Sequence, residues 1–124
     1  MRHLFCAGVG AVVLALAVPS PVSAHAYLVR SSPAGRAIVA RAPARVQLWF
    51  NERLEPAYSS VTVRNADGQQ VDAGDVQVGP PEPTRLSVGV PPLAAGVYTV
   101  KYRVLSVDGH IVESEFAFTV RGER

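Results

Sequence analysis

Two histidines and one aspartate carry most of the chemistry that this chain could perform. Beyond its first two dozen residues the only histidines are His25 and His110, and His110 closes the tripeptide Asp108-Gly109-His110. In an extended strand, residues i and i+2 project from the same face, so Asp108 and His110 are expected to point together. His25 becomes a chelator by itself if processing makes it the first residue, because its amine and its Nδ1 then close one ring on a metal. With His110 as a third nitrogen, the set suits Cu(II), which favours tetragonal nitrogen and oxygen donors. Asp108 would add an oxygen or orient the His110 ring as an outer acceptor. Glu52 follows Phe50 by two positions and continues that strand's inward parity, which makes it a fourth candidate.

Each candidate has a plainer explanation. Asp-Gly is a common hairpin turn, which would leave His110 as an ordinary strand-edge histidine. Terminal residues are usually disordered, and a carboxylate such as Glu52 at a strand end is usually just solvated. Glu55, Glu113 and Glu115 are plainer still. Catalytic constellations are scarce: there is no Gly-rich phosphate loop, and Ser106 near His110 reads as an accident of strand neighbours.

Residues 1–24 read as a secretory signal peptide. Arg2 and His3 form a short positive start, an apolar run rich in Ala, Val and Leu follows, and Pro19 and Pro21 break it before Ser23 and Ala24. The run is shorter than the ~20 apolar residues of a membrane span, so a soluble exported protein is expected, periplasmic or otherwise outside the cytoplasm. The cleavage rule allows two cuts. Val22-Ser23-Ala24 directs one before His25, and Ala24-His25-Ala26 directs one before Tyr27, which would discard His25. Cys6 and Met1 both lie in the leader, so residues 25–124 hold no thiol, thioether or disulfide. Of the twelve basic residues Arg2 also leaves, and the rest nearly balance the ten acidic ones. An interspersed, balanced surface offers nothing to nucleic acid or to an anionic membrane.

The elements that must position these residues are short strands. Val46, Leu48 and Phe50 alternate with Arg45, Gln47 and Trp49, and Val61 and Val63 with Thr62 and Arg64. Leu86, Val88 and Val90 alternate with Ser87 and Gly89. Tyr98, Val100, Tyr102 and Val104 alternate with Thr99, Lys101 and Arg103, and Val112, Phe116, Phe118 and Val120 share a parity in the last strand. Turn signals separate the runs at Asp67-Gly68, Gly74-Asp75, Pro80-Pro81, Pro91-Pro92 and Ala95-Gly96. About seven antiparallel strands in about 100 residues predict an all-β, immunoglobulin-like Greek-key sandwich or barrel with one core. Trp49 has outward parity and is expected to cover the sheet's second face.

The ordered set of motifs resembles the CopC family of exported copper-binding proteins. The start His25-Ala26-Tyr27-Leu28-Val29-Arg30-Ser31-Ser32-Pro33 is similar to that family's opening histidine, short strand and Ser/Pro turn. Phe50-Asn51-Glu52 resembles its phenylalanine-x-glutamate segment, and Ser106-Val107-Asp108-Gly109-His110 its Ser-x-Asp-x-His signature. The resemblance implies a Greek-key β domain over residues 25–124 holding one Cu(II) through His25, Asp108, His110 and Glu52. It also implies a cut before His25. A monomer is expected, and a separate membrane copper transporter is a candidate partner. Some relatives carry a methionine-rich Cu(I) site; without methionine beyond Met1, none is expected here.

Three functions compete at this level. The leading one is a non-enzymatic Cu(II) carrier or buffer in copper homeostasis or resistance. The second is a small copper-dependent oxidative enzyme with an amino-terminal histidine site, disfavoured because most of the aromatics share core parity and about 100 residues leave little surface for a broad, flat substrate face. The third is a metal-free sandwich serving adhesion or assembly.

Overall fold

Alternation of β-branched and aromatic side chains with polar ones produces eight strands. These are β1 (Leu28–Ser32), β2 (Ile38–Val39), β3 (Arg45–Phe50), β4 (Ser60–Arg64), β5 (Gln77–Val78), β6 (Arg85–Gly89), β7 (Gly96–Leu105) and β8 (Ile111–Val120). The structure is a computed structural model that describes Gly10 and residues 26–122. The expected leader, apart from Gly10, and His25 lie outside the described residues. Among the described residues one 3-10 turn, Pro56–Tyr58, interrupts the strands. Among the described residues no helix is long and apolar enough to cross a membrane.

The strands form two four-stranded sheets, ordered β1-β3-β6-β5 and β2-β8-β7-β4. The expected sandwich is therefore present, with one strand more than the alternation predicts. The two-residue strands β2 and β5 are too short to show a period. The pairing of β2 with β8 is parallel, whereas the other strand pairs are antiparallel.

Side-chain parity fills the space between the sheets. Val46, Leu48, Phe50, Leu86 and Val88 from one sheet meet Val61, Val63, Val100, Val104 and Phe118 from the other, all buried. Each such side chain contributes about 1.5–3 kcal/mol by leaving water. Phe118 stacks on Tyr98 with ring centroids 5.6 Å apart, and Phe50 meets Tyr102 edge-on at 5.4 Å. The buried Tyr98 hydroxyl donates to Ala94 O at 2.6 Å, so its polar end is satisfied. Trp49 faces outward as expected, with Arg30 stacked 4.0 Å above its ring and its Nε1 donating to Glu82 at 3.0 Å.

Two features place the chemistry. The first is the β7–β8 hairpin, paired without a break from Gly96↔Val120 to Leu105↔Ile111, which carries residues 106–110 at its tip. The second is the crossing segment after β3. Asn51 N donates to Tyr27 O, and Tyr27 N donates to the Asn51 side chain at 2.6 Å. Three residues on, Leu54 bridges to Ser106, Glu55 N donates to Leu105 O, and Val107 N donates to Arg53 O. Residues 51–55 thus tie the start of β1 to the hairpin tip.

Candidate metal centre

The tip of the hairpin is a three-residue loop. Ser106 N donates to His110 O at 3.0 Å, closing the ladder, and Gly109 N donates to Ser106 O at 2.9 Å, closing the turn. Gly109 has φ +93°, in the left-handed region that glycine enters without steric cost. Asp108 and His110 therefore meet through the turn and not through strand alternation. The expected pairing is present, but the extended backbone that predicts it is not. The plain hairpin reading of Asp-Gly and the pairing of the two side chains both hold.

Within the turn, Asp108 Oδ1 lies 3.3 Å from His110 Nδ1. The Ser106 hydroxyl donates to the same Oδ1. That hydrogen bond does most to hold the Asp108 carboxyl below the usual carboxylate range. Partial desolvation opposes it, and the His110 ring adds to it. Asp108 is thus an anion at neutral pH. An imidazole that donates from Nδ1 to that anion carries its lone pair on Nε2, the arrangement in which histidines ligate metals. Both side chains remain open to solvent, His110 at 45% exposure and Asp108 at 31%.

Glu52 stands in the bend after β3 and is half-buried. Among the described residues, no three His, Cys, Asp or Glu side chains converge as a metal-holding group, so Glu52 does not complete one with Asp108 and His110. The donor set present, one imidazole and one anionic carboxylate, fits a metal only in part, and needs further donors from outside the described residues. Sequence reasoning placed Ser106 in the Ser-x-Asp-x-His signature without giving it a role, and missed Asn51. Ser106 is 1% exposed and hydrogen-bonded to Asp108, which corrects its reading as an accident of neighbours. Its position two residues before Asp108 is the signal that could have found it. Because its single hydroxyl proton goes to the Asp108 carboxylate, it does not form a nucleophile pair with the imidazole.

A depression of about 700 Å³, lined by Ala42, Pro43, Val90, Pro91, Leu93 and Gly122 among others, lies at the opposite end of the sandwich. It flanks the start of β3 and the end of β8, away from the turn that joins β7 to β8. Its lining contains no histidine or carboxylate, so we place the chemistry at the hairpin tip despite the size of this cavity.

Fold and turn define a class: a small two-sheet β-sandwich that presents an acid–histidine pair at one end of its longest hairpin. A model of the CopC domain matches residues 28–121, and the chain belongs to the CopC family. It is 41% identical to CopC from Methylosinus trichosporium OB3b, whose crystal structure aligns with a TM-score of 0.75 over 81% of this chain and 97% of that one. It is 31% identical to PcoC, a methionine-rich copper resistance protein from Escherichia coli, with a TM-score of 0.70 over 79% of this chain and 100% of that one. It is also 31% identical to the copper transport protein CutJ of Bacillus subtilis (strain 168), over 83% of this chain but only 19% of that protein's length. The family is one of copper-resistance and copper-transport proteins and not of enzymes, which places the chain in copper homeostasis. Unlike the methionine-rich PcoC, this chain has Met1 as its single methionine.

Proposed function

We propose that the protein is exported, cleaved before His25, and acts as a Cu(II) carrier or buffer with one site built from the His25 amine and imidazole, His110 and Asp108. Glu52 lies in the crossing segment, outside a convergent group with Asp108 and His110, and is not counted among the ligands. The observation that carries this reading is the pair of hydrogen-bonded links through residues 51–55, which tie Tyr27 on one side and Ser106 on the other. His25 is two residues upstream of Tyr27, and two residues reach at most about 7 Å. Ala26 supports the choice of cleavage point. It is 1% exposed and part of the core, so a cut before Tyr27 would remove a packed residue as well as the histidine.

The chemistry favours Cu(II) over Cu(I). With no thiol or thioether outside the leader, the donors are nitrogen and oxygen, which the oxidised ion prefers. The delivery partner fits a separate membrane copper transporter, and the monomer is the working form.

Blocking the terminal amine tests the site. An added residue before His25 converts the amine to an amide that donates no lone pair at neutral pH. Cu(II) affinity in a competition titration is expected to fall sharply, with circular dichroism and the melting curve of the metal-free protein unchanged. A free amine has a pKa near ~8, so the processed protein should release protons on binding and bind more weakly as pH falls. Equal affinity of the extended and processed proteins would overturn the reading.

A further inference from the structure

Ser106 is one of three buried polar residues in the described chain and stands at the end of the longest strand pair. Its backbone is fixed twice, by the N–H to His110 O and by the bridge to Leu54. Its hydroxyl touches Asp108 Oδ1, His110 O at 3.3 Å and His110 N at 3.4 Å. One buried oxygen thus meets both the carboxylate that faces the imidazole and the main chain that carries it. Asp108 and His110 themselves are solvent-exposed, and an exposed pair of side chains gains little from its own attraction because both must be held in one geometry.

We infer that Ser106 is a positioning residue of the metal site, its buried hydroxyl locking the Asp108 carboxylate in the rotamer that aims His110. This inference rests on the copper reading above and adds a residue that never touches the ion. A hydroxyl anchored in the core conveys the rigidity of the β7–β8 ladder to the carboxylate, and the carboxylate conveys it to the ring. Without that donor, Asp108 Oδ1 turns to water, and the imidazole samples orientations that do not present Nε2. Outer partners of this kind typically change metal affinity by about 10- to 100-fold when lost.

The test is a double-mutant cycle on the exported protein whose first residue is verified as His25 by mass. Ser106→Ala removes one oxygen from a buried site, and circular dichroism of the metal-free variant monitors its fold. Ser106→Ala is expected to weaken Cu(II) binding roughly 10- to 100-fold and to shift the copper paramagnetic resonance parameters. In an Asp108→Ala background the same change should have no further effect on affinity or spectrum, since the hydroxyl then has no carboxylate to hold. A lowered melting temperature with unaltered affinity and spectrum would assign Ser106 a purely structural role and overturn the inference. So would an equal loss of affinity in both backgrounds. His110→Ala separates the two readings. If it abolishes binding while Ser106→Ala changes nothing, only this inference fails; if it leaves binding intact, the copper site itself fails with it.

Discussion

His110 and Glu52 differ in what can replace them. An imidazole nitrogen has no substitute among the described side chains, since His110 is the one histidine there, whereas water supplies an oxygen as readily as a carboxylate does. Glu52 also lies outside any convergent group in the described residues. His110→Ala should therefore weaken Cu(II) binding by more than the roughly 10- to 100-fold of a lost outer partner, and Glu52→Ala by less. A competition titration against a chromogenic chelator ranks the two, and equal losses would reverse the assignment. Gly109 belongs to the same scale. At φ +93°, with open space where a Cβ would stand, it is required by backbone conformation and not by room, so Gly109→Ala should cost about 1 kcal/mol of stability and disturb the turn.

Among the elements, β6 shows how a two-residue neighbour is held in place. Arg45 from β3 donates to Asp75 Oδ2 at 2.7 Å and to the Ser87 hydroxyl at 3.2 Å, while Gly89 N donates to Asp75 Oδ1 at 2.7 Å. Asp75 thereby clasps the loop before β5 onto the end of β6. The Arg45 hydrogen bond, and after it the Gly89 N–H, hold the Asp75 carboxyl below its usual range. Its contribution is then fully present above the unfolded value of ~3.9 and is lost as pH falls through the lower, folded one. Asp75→Ala should lower the melting temperature at neutral pH, and the gap to the unaltered protein should close as pH is taken below about 4. A gap that stays constant with pH in thermal melts would mean that the clasp does not act through its charge. In the core, Phe118→Ala removes the ring stacked on Tyr98 and should cost about 3–5 kcal/mol in denaturant unfolding.

For the molecule as a whole, the proposed site links copper binding to folding. A ligand at ~1,000 times its dissociation constant adds about 4 kcal/mol when the unfolded chain binds none. Here the unfolded, processed chain keeps the His25 amine and imidazole in one residue, so part of that advantage cancels. What remains, on the proposed site, is the gain from adding His110 to them in the folded chain. A rise of several degrees in melting temperature at saturating Cu(II) is expected, and it should vanish in His110→Ala. Calorimetry showing the same rise in both proteins would mean that the two histidines do not share an ion.

The long strands were legible in the sequence because their side chains alternate: β3 and β7 each bury one parity, β8 does so at its end with Phe118 and Val120, and a one-residue slip would expose these side chains. The two-residue strands β2 and β5 were not legible, since two residues define no period and their pairing is set by partners distant in sequence. At the site, the residue types and the closeness of Asp108 to His110 could be read directly, as a property of three consecutive positions. The reason for their meeting could not. It depends on Gly109 taking a positive φ and on Ser106 being buried, and both follow from the closure of the β7–β8 ladder. Tertiary structure alone brought Tyr27 and Ser106 to opposite ends of residues 51–55, because those hydrogen bonds join segments separated by dozens of residues. It also left Glu52 out of a convergent group with Asp108 and His110, since the chain bends after Phe50 where strand parity, continued on paper, would have carried the carboxylate inward.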